Sequence, residues 1–106
     1  MRKYIVAVDF DGTMVKNKYP FIENPNEELI EYLKANRDRY ILILNTMREG
    51  RQLQYAKDWL KEQGLEFDYY NENVPWKIKE FGDKRKIYAD IYVDDSSMTS
   101  SEFVKQ

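Results

Sequence analysis

Residues 4–13 read Tyr4-Ile5-Val6-Ala7-Val8-Asp9-Phe10-Asp11-Gly12-Thr13, an apolar run that stops at two acids and a glycine. A run of this kind suits a strand buried on both faces, the usual state of a central parallel strand. In an extended chain residues i and i+2 point the same way, so a strand persisting to Asp11 would project both carboxylates from one face. Gly12 then allows a sharp turn. Asp-Gly is also a common turn dipeptide, and a plain strand end could account for it. Against that reading, a buried strand running into two close like charges must neutralise one or attract a cation. In open parallel sheets such acids lie where ligands bind, beyond the carboxyl ends of the strands.

Working outward, Asn24-Pro25-Asn26-Glu27 predicts a helix start, with Asn24 as cap, Pro25 in the first helical position and Glu27 closing a capping box. Leu29, Ile30 and Leu33 supply the apolar stripe of that helix, which ends near Asn36. Residues 40–44 form a second buried run, ending in Asn45-Thr46-Met47-Arg48. A helix over about 49–63 follows, with Leu53, Ala56 and Leu60 on one face and Gly64 placed to stop it. Residues 65–70 read as a shorter, more polar edge strand. Residues 71–85 lack a clear period and hold a loop or a short helix. A fourth strand over 88–93 ends in Asp94-Asp95, and the polar tail has room for one short helix, with Phe103 and Val104 available to pack. The alternation is that of an α/β fold with a parallel sheet, and right-handed crossovers place helices on both faces.

The 106 residues fit a single domain spanning 1–106. No apolar run reaches the roughly 18–20 residues of a membrane span. Met1-Arg2-Lys3 leads straight into the first strand, leaving no room for a signal peptide, so a cytoplasmic protein is expected. A net charge of -2 argues against bulk-charge binding of nucleic acid. With no cysteine and no histidine, thiolate and imidazole chemistry are excluded. What is left is carboxylates, hydroxyls, lysine, arginine and hard metal ions.

If the first and fourth strands are neighbours, Asp9, Asp11, Asp94 and Asp95 meet at one edge of the sheet. So many carboxylates repel one another unless a cation sits among them, and an all-oxygen site suits Mg²⁺. Thr46 could bond an anionic substrate group and Lys86 neutralise it. This is equipment for phosphoryl transfer.

D-F-D-G-T at 9–13, an apolar strand ending in Thr46, a lysine ahead of a strand, and D-D at 94–95 together resemble the ordered motifs of the haloacid dehalogenase-like phosphohydrolases. I-L-N-T-M-R-E-G at 43–50 and K-I-Y-A-D-I-Y-V-D-D at 86–95 are similar to segments of small uncapped members. The resemblance implies a three-layer α/β/α Rossmann-like domain without a cap and a Mg²⁺-dependent phosphatase. It makes Asp9 the nucleophile, and so an aspartyl-phosphate, and Asp11 the general acid and base. It also implies phosphate binding by Thr46 and Lys86, and Mg²⁺ ligation by Asp9, Asp94, Asp95 and the Asp11 backbone carbonyl. Lys84 competes for the lysine role, but the spacing of Lys86 to Asp94 matches the family better. Arg48 either reaches the phosphate or is an exposed residue at a helix start. Trp76 and Phe81 belong to the core, to an oligomer contact or to the border of the substrate entrance. An uncapped site admits bulky phosphoesters, nucleic acid among them only as substrate. The alternative from another class is a noncatalytic phosphate- or metal-binding module.

Overall fold

The computed structural model describes residues 3–82, 86–94 and 98–105, the Phe81 side chain excepted. Four strands, β1 (Tyr4–Val8), β2 (Tyr40–Leu44), β3 (Tyr69–Tyr70) and β4 (Ile91–Val93), form one parallel sheet in the order β3-β2-β1-β4. The helices are α1 (Glu27–Ala35), α2 (Gly50–Glu62), α3 (Pro75–Phe81) and α4 (Ser100–Phe103). The sheet is therefore that of a Rossmann-like α/β protein.

Strand alternation divides the core into two. Val6, Val8, Leu42 and Leu44 face Leu29, Ile30 and Leu33 of α1, Ala56 and Leu60 of α2, and Phe103 of α4. Ile5, Ala7 and Ile43 face the other way, toward Val74, Ile87 and Ala89. Topology explains this division. The chain steps β1 to β2 to β3 in one direction, so right-handed crossovers carry α1 and α2 to the same face. The return to β4 reverses direction and brings Val74, at the head of α3, to the opposite face. The reversal makes the gap between the carboxyl ends of β1 and β4 the switch point of the sheet.

Several boundaries differ from those predicted. α1 is capped by Asn26, not Asn24: the Asn26 side chain accepts from Leu29 N at 3.2 Å. Asn24 has φ 52, and Pro25 bridges antiparallel to Val15, so both lie outside the helix and Glu27 only begins it. Asn26 also donates to the Thr13 carbonyl at 3.2 Å and to Ser100 Oγ at 3.0 Å, which ties three segments together. β3 and β4 are shorter than expected, although Leu65, Phe67, Ile87 and Ala89 are buried as strand residues would be. The tail forms α4 with a Thr99–Glu102 capping box, and Phe103 packs edge-on to Tyr32 at 5.1 Å. Trp76 lies half-exposed on α3.

Among the described residues, no helix is long and apolar enough to cross a membrane.

Candidate active site

The strand does not persist to Asp11. β1 ends at Val8, and the chain turns tightly around the Phe10 carbonyl, which accepts from the amides of Thr13, Met14 and Val15. Gly12, at φ 90, makes the turn possible. Phe10 is fully buried and meets Trp59 edge-on at 6.0 Å, so it anchors the turn while the flanking acids stay near the surface. The two acids then part. Asp9 continues beside β4, its amide donating to the Val93 carbonyl at 3.0 Å, and its Oδ1 accepts from the Phe10 amide at 2.9 Å. Asp11 turns to Arg48.

Of the two readings of Arg48, that pairing removes the exposed one at a helix start. The residue is 1% exposed. Its Nε and Nη2 donate to the two Asp11 oxygens, each at 2.8 Å, a bidentate pair. Nη1 and Nη2 also reach the carbonyls of Gln52 and Pro20, both at 3.3 Å. The guanidinium lies over the rings of Phe10 at 5.1 Å and Tyr19 at 5.0 Å. A buried arginine needs this many partners.

Two cavities open at the carboxyl edge of the sheet. One, of about 260 Å³, is lined by Asp9, Asn45, Thr46, Met47 and Asp94 together with β-strand residues. The other, of about 400 Å³, is lined by Asp9, Asp11, Asn17, Tyr19, Met47 and Arg48, with Thr46 again at its edge. Asp9, Thr46 and Met47 are common to both. Asp94 follows Val93, which pairs with Val8, so adjacent parallel strands deliver Asp9 and Asp94 side by side.

Thr46 sits in a loop held from both sides. Its amide donates to Asn71 Oδ1 at 2.7 Å, its hydroxyl accepts from the Arg48 amide at 3.1 Å, and Asn71 Nδ2 donates to the Arg48 carbonyl at 3.3 Å. Asn71 escaped the sequence reading because its contribution is a bridge between loops after two different strands. Its φ of 54 is one that asparagine tolerates better than most residues. Asn17, Tyr19, Asn45 and Met47 carry no motif of their own and enter the site only as cavity lining.

Lys86 is not brought to either cavity. It lines a separate one of about 480 Å³ with Asn73, Lys77, Tyr88 and Tyr92. Tyr92 borders both this cavity and the smaller Asp9 cavity. Asp95 and the competing Lys84 lie outside the described residues. Among the described residues, no three acidic side chains converge closely enough to hold a metal ion. Asp9 and Asp94 put two carboxylates, oxygen groups of the kind hard cations prefer, on adjacent strand ends at one cavity.

Fold and site define a parallel-sheet α/β protein with paired acids at the switch point. Among solved structures it matches a conserved protein from Bacteroides thetaiotaomicron with a TM-score of 0.83 and 33% sequence identity, over 98% of this chain and 88% of that one. The chain belongs to the family of that protein. No family model and no curated protein matches it.

Proposed function

We propose that the chain is a magnesium-dependent phosphomonoester hydrolase that works through an aspartyl-phosphate on Asp9. The observation that carries this reading is the meeting of Asp9, Asp94 and Thr46 around one cavity at the switch point of a parallel sheet. In the proposed reaction a carboxylate oxygen of Asp9 attacks phosphorus and the bond to the leaving oxygen breaks. Asp11, having taken up a proton from solvent on leaving Arg48, gives it to that oxygen, then takes a proton from the water that attacks the phospho-aspartate, breaks its bond to Asp9 and releases phosphate. Thr46 bonds the phosphoryl oxygens; Lys86, which lines a separate cavity bordered by Tyr92, would have to leave it to serve the same charge. Mg²⁺, held by Asp9, Asp94, Asp95 and the Asp11 backbone carbonyl, would supply the positive charge that lets a carboxylate approach a phosphate dianion.

Asp11 gives both oxygens to Arg48 here, so its side chain must swing off Arg48 to reach a leaving group. The same contact favours a second reading, a noncatalytic phosphate- or metal-binding module in which Asp11 serves only to neutralise Arg48. Turnover separates the two. With Mg²⁺ present, the chain should hydrolyse an aryl phosphate and Asp9→Asn should reduce this to background. Full activity in Asp9→Asn defeats the proposal, and phosphate binding without turnover of any ester favours the module.

A further inference from the structure

The two cavities that share Asp9 differ in what surrounds them. Asp11 lines only the larger one, with Asn17 and Tyr19, whereas Asp94 and Asn45 line only the smaller. In the hydrolase reading, the group that protonates the leaving oxygen marks the side on which the leaving group lies. The leaving group therefore belongs in the 400 Å³ cavity, a volume within the roughly 300–1,000 Å³ range of small-molecule pockets.

The walls of that cavity are unusual for a solvated edge. Met47 is 97% exposed and Tyr19 is 55% exposed, yet both line it. Single exposed apolar residues are ordinary. Here two of them flank one cavity whose floor holds the candidate nucleophile. Tyr19 is also backed by a buried charge: the Arg48 guanidinium lies over its ring at 5.0 Å, and the neighbouring Pro20 carbonyl accepts from Arg48 Nη2 at 3.3 Å. A ring backed by a buried cation is partly preorganised, and less entropy is lost when a second ring stacks on it. Met47 adds a flexible thioether, which adapts well to aromatic edges, and Asn17 provides one amide for a polar edge.

We infer that the Tyr19–Met47 cavity is a leaving-group subsite selective for phosphomonoesters that carry a flat aromatic ring. This rests on the hydrolase reading for its orientation, but stacking itself needs no turnover. Reactivity must be kept out of the comparison, because phenolic leaving groups depart faster whatever the site. Benzyl and butyl esters both release primary alkoxides, so the test uses that pair and their phosphonates, whose C–P bond is not cleaved.

Calorimetric titration of the whole chain with benzylphosphonate and butylphosphonate in Mg²⁺ should show roughly 5- to 10-fold tighter binding of the benzyl compound, the scale of one aromatic stack. Met47→Ala, at an almost fully exposed position, and Tyr19→Leu should each bring that ratio toward one. Benzyl phosphate should exceed butyl phosphate in kcat/KM by a similar factor. Equal affinity for both phosphonates, no binding of either, or a preference untouched by both variants overturns the inference. A preference lost in the variants, in a protein that hydrolyses no phosphomonoester, upholds the aromatic subsite and sinks the hydrolase reading alone.

Discussion

Arg48 shows most plainly how one residue governs this molecule, because its charge is buried with a single carboxylate partner among the described residues. The side chain of Arg48 has no exposure and that of Asp11 is 17% exposed. Replacing only the arginine strands Asp11 beside Phe10 and Tyr19. Arg48→Met should therefore cost about 3 kcal/mol in urea unfolding, the low end for breaking a buried pair because Asp11 retains some solvent. Adding Asp11→Leu should return at least half of that loss, since no charge is then left unpaired. A double variant as unstable as the single would show that Arg48 acts through its stacked rings instead. Tyr40 offers a second test. Burial, and then the hydrogen bond with the Tyr32 hydroxyl at 3.0 Å, push its pKa up from 10.0 to about 12. The neutral phenol is the form the fold prefers, so its contribution is complete below pH 10 and disappears as pH rises from 10 to about 12. Unfolding midpoints across that window should fall more steeply in the natural chain than in Tyr40→Phe, and parallel slopes would contradict the assignment.

At the level of elements, side chains replace missing ladder partners at both edges of the sheet. Asp90 exchanges two bonds with Ile5, its Oδ2 accepting at 2.7 Å and its amide donating at 2.8 Å. Asp68 does the same with Leu42, at 2.8 Å and 2.9 Å, and its Oδ1 also pairs with Arg37 at 2.8 Å. These acids explain why β3 and β4 begin later than the apolar pattern of 65–70 and 88–93 implies: the first rungs are made by carboxylates. Asn73 extends the device. Its Oδ1 accepts from the Tyr88 amide at 2.6 Å and its Nδ2 donates to the Lys86 carbonyl at 3.0 Å, so one amide stands in for a strand beside the approach to β4. Asn73→Ala should cost about 2 kcal/mol, the sum of two such bonds to backbone groups. It should also speed hydrogen exchange at Tyr88 more than at Val6 in the central strand. Uniform acceleration at both positions would mean that Asn73 supports the whole fold and not this segment.

At the scale of the molecule, the deciding feature is the reversal of direction between β3 and β4. It opens the switch point where Asp9 and Asp94 meet. If a magnesium ion binds there, it binds the folded chain alone, and mass action must raise stability by about 2.7 kcal/mol at 100 times its dissociation constant. The thermal midpoint should therefore climb with added Mg²⁺, return on chelation, and stop responding in Asp94→Asn. A response that survives Asp94→Asn would put the ion elsewhere.

The fold was legible because buried strands and amphipathic helices write their periods locally. The runs at 4–8 and 40–44 and the stripe of Leu29, Ile30 and Leu33 needed only neighbours along the chain to be read. The cap moved from Asn24 to Asn26 because Pro25 found a partner at Val15, a contact that no local pattern records. The site was legible as a set of residue types and illegible as a set of partners.

Sequence alone thus determined the parallel α/β class, the strand ends that carry Asp9, Thr46 and Asp94, and the absence of imidazole and thiol chemistry. Only the tertiary structure decided that Asp11 faces Arg48, 37 residues away, that Asn71 and Asn73 brace the loops, and that Lys86 lies across Tyr92 from Asp9. The reason is physical: burial periodicity depends on which side of one element a residue occupies, whereas a bidentate ion pair depends on how two crossovers bring separate loops within 3 Å.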